Sequence, residues 1–246
     1  MMKSNVIFMF HAIGSGGELE ESDPHYAYSF KKFMRSIKGC RSLEDNLVTR
    51  TGLPILTFDD GHATNFIAAN ILAEEFTSTA DFFVNTNTID TKNYLSWSQL
   101  QKMKDWGMSI QSHGADHVYL SDLTYEEQRQ QLERSKYIIE DKLGVEVSIL
   151  APPGGRFNED TIQLCHKLGY KHISVSKPGK WNGEYCSPRV PVLADTDVGE
   201  LTSCLQSISP FLLKQVLKYR ITGLAKKILG NDKYDALRGE LLGRGM

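Results

Sequence analysis

Short apolar runs alternate with capped amphipathic segments along most of this chain, and that alternation restricts the fold more than any other feature. Val6-Ile7-Phe8-Met9-Phe10 is a continuous apolar run, as a strand buried on both faces requires. Pro54 to Phe58, Thr79 to Val84, Met108 to Gln111, Val147 to Leu150, His172 to Val175 and Arg189 to Val192 read as further strands. Helices lie between them. Tyr28, Phe30, Phe33, Met34 and Ile37 share one face of an early helix that follows a loop from Ile13 to Asp23. Ala63 to Phe76 is a second, and Ser96 caps a third that reaches Trp106 and stops at Gly107. Thr124-x-x-Glu127 is a capping box opening a long helix to Leu143, closed by Gly144, and Asn158 caps another through Leu168. Strands separated by helices imply a mostly parallel sheet, open or closed as a barrel.

Asp59, Asp60, His113 and Pro152 each fall just after a strand. In a (β/α) barrel those ends share one face, so residues distant in sequence would converge. The chain has 246 residues, 41% hydrophobic and 24% charged, the profile of an ordinary globular protein. Its net charge of -2 supplies no basic field to attract nucleic acid. Cys40, Cys165, Cys186 and Cys204 form no CxxC pair and read as reduced thiols. The first residues make a poor signal peptide, and no apolar run is long enough to span a bilayer. The expectation is a cytoplasmic protein.

The chemistry concentrates in Leu56-Thr57-Phe58-Asp59-Asp60-Gly61-His62 and Ser112-His113-Gly114-Ala115-Asp116-His117. One carboxylate and two imidazoles make a ligand set for a divalent metal with open positions, and Asp60, His113 and His117 are the candidates. The histidines would meet the ion from a helical turn or a tight loop, with Ser112 and Asp116 placed to orient them. Asp59, left over beside the cation, is the candidate general base of a metal-assisted hydrolysis. Pro152-Pro153-Gly154-Gly155 reads as a groove wall where a rigid backbone can approach a ligand, or as a turn into the next helix. Arg189 either joins that substrate-binding groove, fixes the base by a bidentate pair, or faces water at a sheet edge. His11, ending the first strand, either lines the mouth or sits satisfied in the core.

These residues in this order resemble the polysaccharide deacetylase family, the NodB-homology domains of carbohydrate esterase family 4. Thr57-Phe58-Asp59-Asp60-Gly61 is similar to its first motif, in which the first Asp is the base and the second a metal ligand. His113 to His117 is similar to its second, metal-binding motif. Pro152-Pro153-Gly154-Gly155 resembles the core of its third, which lines the substrate groove, and Met9-Phe10-His11 resembles the end of the first strand in many members. The resemblance covers Val6 to Val192. It implies a distorted (β/α) barrel, removal of an acyl group from an amino sugar, and a divalent metal, zinc by first expectation. The chain departs from the pattern at three places. Ala151 stands where the family often has an Arg that holds the base, leaving Arg156 or Arg189 to replace it. Gly114 replaces a Ser or Thr. No His follows His172, although the family draws its general acid from a late motif, so His11 is the candidate for that role.

The expected organisation is a deacetylase-like barrel over residues 1–205 and a basic amphipathic helical tail over 206–246. From Pro210 to Gly230 the chain carries Lys and Arg but no Asp or Glu, interleaved with Leu, Ile and Val at helical spacing, with Gly223 as a weak point. Such a tail either packs on the barrel or lies on an anionic membrane face. The expected function is metal-dependent removal of an acyl group from a sugar, nucleotide sugar or lipid-linked glycan precursor, with a carbohydrate substrate and no nucleic-acid partner. The alternatives are a non-catalytic carbohydrate-binding protein that keeps the groove, and a metal-dependent amidase on a non-sugar substrate.

Overall fold

A computed structural model describes residues 6–14, 19, 22–43, 56–206 and 208–229. Eight strands, all parallel, make one sheet: β1 (Phe8–Phe10), β4 (Leu56–Phe58), β5 (Asp81–Val84), β6 (Ser109–Ser112), β7 (Ile149–Leu150), β8 (His172–Val175), β9 (Cys186–Pro188) and β10 (Val190–Pro191). Their order is β10-β1-β4-β5-β6-β7-β8-β9. The two terminal positions belong to one stretch of chain. Cys186 to Pro188 register against Ile173 to Val175, and Val190 and Pro191 register against Phe8 and Met9. Arg189 is the residue at the crossing. Its amide donates to the carbonyls of Val175 and Lys177, and the next amide, Val190, donates to Ile7. The sheet thus closes on itself as a nearly complete parallel barrel, which removes the exposed edges that an open sheet would leave.

Helices cover the outside: α1 (Phe30–Leu43), α2 (Thr64–Phe76), α3 (Trp97–Asp105), α4 (Tyr125–Leu143) and α5 (Glu159–Lys167). Ser96, Thr124 and Asn158 each close a capping box, and Gly144 ends α4 in the left-handed conformation that costs glycine least. Two features differ from expectation. The segment from Ile13 holds a two-residue strand, β2 (Ile13–Gly14), paired in parallel with β3 (Tyr28–Ser29), so Tyr28 precedes the helix rather than lying in it. A short helix, α6 (Val198–Ser203), follows the barrel and is capped by Asp197 with Glu200. The tail forms one helix, α7 (Pro210–Leu229), continuous through Gly223. Residues 44–55, with Pro54 at the expected start of a strand, lie outside the described residues.

Side chains alternate along each strand, so the barrel has two interiors. Phe8, Phe10, Phe58 and Phe82 point outward and join the main core beneath the helices. Phe58 stacks on Phe10 and on Phe82 at centroid distances of 5.4 and 4.7 Å. Inside the barrel, among the described residues, Phe83, Ile149 and Ala151 form a small apolar cluster, and the space is shared with buried Thr57, Asp59, Asp81, Gln111 and Arg189.

Candidate functional site

The first motif leaves β4 with an abrupt change of backbone. Asp59 continues the ladder, its amide donating to Phe10 O at 2.9 Å. Asp60 then takes φ +71° and Gly61 φ +72°. A left-handed aspartate is uncommon and costs free energy that the surrounding structure must offset. Its effect here is to break the strand's up-down alternation, so that two consecutive carboxylates serve one site. A side chain at Gly61 would meet Val84 Cγ1 at 3.1 Å, so the turn is packed as well as strained.

Asp59 points into the barrel and is 2% exposed. Arg189, wholly buried, grips it with both arms: Nη1 to Oδ1 at 2.6 Å and Nη2 to Oδ2 at 2.8 Å. Nη1 also donates to Thr57 Oγ1 at 3.1 Å, and the guanidinium lies 5.2 Å from the Phe83 ring centre. This fork-to-carboxylate geometry is the strong form of an ion pair. Burial alone would raise the Asp59 carboxyl. The Arg189 charge and the hydrogen bonds from Arg189 hold it below the usual carboxylate range.

Asp60 faces the mouth, where His113 Nε2 and His117 Nε2 stand 3.2 and 3.3 Å from its Oδ1. His113 leaves the end of β6, and its Nδ1 lies 2.7 Å from the carbonyl of Ala151. A carbonyl only accepts, so Nδ1 carries a proton, and in the neutral ring Nε2 presents a lone pair toward Asp60. Two electron-rich atoms facing each other at this distance leave Asp60 Oδ1 buried without a hydrogen-bond partner. The donor atoms of Asp60, His113 and His117 lie within 4.8 Å of one another, and a divalent cation fits that set of one carboxylate and two neutral imidazoles. The His113–His117 segment is a loop rather than a helical turn.

The groups that hold this loop differ from those expected. Ser112 Oγ pairs with Ser135 Oγ and accepts from the Gly114 amide, touching neither imidazole. Asp116 accepts from Asn87 and from Gln131 Nε2, while Gln131 Oε1 accepts from the amides of Ala115 and Asp116. Gln131, on α4, therefore ties down both ends of the turn that delivers His117. Neither Gln131 nor the Ala151 carbonyl stands out in sequence.

A cavity of about 300 Å³ opens over these groups. Asp59, Asp60, His113, His117, His11 and His62 all reach it. His11 packs its ring 4.3 Å from that of Tyr26, and its Nδ1 is buried without a hydrogen-bond partner. It lines the mouth rather than sitting satisfied in the core. The groove-wall residues separate: Pro152 and Pro153 are buried beneath the surface, whereas Gly154 lines the cavity. Gly154 has φ +60°, and a Cβ there would lie 2.5 Å from Tyr119 Cε1, so only glycine lets Tyr119 close against the loop. Gly155 lines a second cavity next to the first. The placing of Arg189 among groove residues is corrected: with no exposed surface it cannot meet substrate, and it stands behind Asp59. Arg156, the other candidate for that task, stacks over Tyr119 at 4.1 Å and lines the cavity instead.

Fold and site together define a NodB-type barrel hydrolase architecture with a carboxylate–imidazole pocket at the strand ends. The sequence profile of the polysaccharide deacetylase family matches residues 49–173, and the chain belongs to that family. YxkH of Bacillus subtilis, a polysaccharide deacetylase by provisional name, is 28% identical over 196 residues, spanning 76% of this chain and 70% of YxkH. The structure of a Bacillus cereus polysaccharide deacetylase, BC0361, superposes with a TM-score of 0.72 at 25% identity, covering 82% of this chain and 69% of that one. The Streptococcus pyogenes deacetylase PplD, solved with acetate, superposes with a TM-score of 0.73 at 22% identity over 82% of this chain and 98% of PplD, a likeness of fold.

Proposed function

We propose that this chain hydrolyses an N-acyl group, acetyl in the simplest case, from an amino sugar of a glycan or glycan precursor. The observation that carries the reading is the clamped base: a carboxylate kept ionised by a buried guanidinium, adjacent in sequence to a metal-type donor set. Asp60, His113 and His117 would hold the ion, for which zinc suits one carboxylate and two imidazoles, and the bound ion would supply Lewis-acid activation of water and acyl carbonyl.

The chain's own residues supply the proton transfers. Asp59 takes a proton from the attacking water as the water oxygen bonds to the acyl carbon. Arg189 occupies one lone pair on each carboxylate oxygen, so the base keeps its orientation and the remaining lone pairs serve the cavity. The carbon–nitrogen bond then breaks as His11 donates a proton to the departing amine. Its place on the lining of the cavity that Asp59 and Asp60 share supports that role. A protein that only bound sugar would gain nothing from desolvating an ion pair behind Asp59, a cost of several kcal/mol for each ion.

The test is acetate release from N-acetylated oligosaccharides and nucleotide sugars by metal-reconstituted protein, beside a chelated control and Asp59→Asn. Release that falls by at least ~100-fold in both controls is expected. Release indifferent to chelation or to the substitution overturns the mechanism. Sugar binding without release would instead identify a carbohydrate-binding protein.

A further inference from the structure

The outer face of α7 is the feature least consistent with a helix that merely packs on the barrel. Phe211 and Leu212 are buried and Val216 packs on the core, so one face is already satisfied. Yet Leu213, Leu217, Ile221 and Leu224 point the other way and are 59–65% exposed. At 100° per residue the four fall within one narrow stripe. Lys214 and Lys218 flank the stripe on one side and Arg220 on the other, and no Asp or Glu occurs between Pro210 and Leu229. Exposed leucines and isoleucine bordered by cations on both sides fit a surface that is apolar below and anionic above. Among the described residues no helix is long and apolar enough to cross a membrane.

We propose that α7 seats this chain on an anionic lipid surface, the stripe at the acyl boundary and the flanking cations among lipid phosphates. The inner side of the helix links docking to the groove. Tyr219, Thr222 and Gly223 wall a cavity of about 640 Å³ that shares Tyr26, Gly154, Arg156 and Ser176 with the catalytic one. Arg156, Lys177 and Lys180 line it against a single carboxylate, Glu184. Docking through α7 therefore brings a cationic extension of the groove beside lipid headgroups. This suits an acyl-sugar carried through phosphate on a membrane lipid. That substrate claim rests on the deacetylase reading above; the docking does not.

The full chain is sedimented with vesicles of phosphatidylcholine containing phosphatidylglycerol, and with phosphatidylcholine alone. Salt-sensitive binding to the anionic vesicles is expected. Leu217→Glu with Ile221→Glu should weaken it at least ~10-fold, and Lys214→Glu with Lys218→Glu by roughly fivefold or more for each cation. Equal binding to both vesicle types, no binding, or binding unchanged in the apolar variant overturns the proposal. A dimer of the parent chain that dissociates in the apolar variant also overturns it, because the stripe would then serve a second copy. An N-acetyl sugar linked through phosphate to a vesicle lipid is next compared with the same sugar phosphate in solution. A KM raised about 10-fold in the apolar variant for the vesicle-borne form alone supports the substrate claim, and equal changes for both overturn it. Absence of turnover by the parent chain on either form counts against the deacetylase reading and leaves the sedimentation result standing.

Discussion

The two interiors of this barrel are built from opposite materials. Outside the strands, Phe10, Phe58, Phe82 and Phe33 fill the space beneath the helices with aromatic carbon. Inside, a salt bridge, a second buried carboxylate and an amide share the lumen with a small apolar cluster. The outer layer stabilises by removing apolar area from water. The inner layer fixes charge in place, and buried ion pairs add little net stability. The contrast assigns the two layers different tasks: the outer one folds the chain, the inner one orients Asp59, the proposed base.

Four experiments would break or sharpen that division. Arg189→Met removes the fork and leaves Asp59 charged and buried. We expect a loss of roughly 3–5 kcal/mol in chemical denaturation and at least ~100-fold in turnover. Adding Asp59→Leu should restore much of the stability and none of the activity. If the double variant stays as unstable as the single one, the pair is part of the folding core. Phe58→Ala, in the outer layer, should cost about 3–5 kcal/mol while turnover per folded molecule changes by no more than about threefold. A collapse of turnover at unchanged fold would show that the layers are coupled.

Asp81 provides a pH test within the lumen. Burial pushes its carboxyl up to about 7, against partial relief from Ser109 and Arg189. Its folded pKa lies above its unfolded value of about 3.9, so the folded state binds the extra proton. Stability from this group is complete below about pH 4 and is lost as pH rises through about 7, a decline of roughly 3–4 kcal/mol. Asp81→Asn should flatten that decline, seen in denaturation midpoints across the range; an unchanged slope would place the titration elsewhere. The smallest effect should come from Gln131→Leu. It touches no ligand but frees the turn that carries His117, so metal affinity should fall about 10–100-fold in chelator competition, with stability reduced by only about 1–2 kcal/mol.

Much of this was legible because strand periodicity and turn chemistry are local. The apolar run leading into Asp59-Asp60-Gly61, and the short strand leading into His113, place the candidate ligands at one end of a parallel sheet. The partner of the base was harder to read. Asp59 and Arg189 lie 130 residues apart, and their contact depends on how the last strand closes the barrel, which no window of sequence contains. The Ala151 carbonyl that sets the His113 tautomer is a backbone atom, so its side chain carried no signal. The capping box of Asp197 and Glu200 was local and overlooked, because the helix it opens is short. Gly223, a weak point by sequence, sits inside one continuous helix: a helix glycine costs about 1 kcal/mol, which packing of Phe211, Leu212 and Val216 offsets.

The crossing at Arg189 has a consequence for the order of events during synthesis. β1 leaves the ribosome before the other strands of its sheet, yet its outer hydrogen bonds wait for Val190 and Val192. Until then the nascent chain carries an open apolar strand at each end of a growing sheet, the form most exposed to mispairing. The same residue that ends this vulnerable interval delivers the guanidinium to Asp59. A molecule whose barrel has not closed therefore leaves Asp59 without its guanidinium, so on the proposed mechanism the base is positioned only once folding is complete.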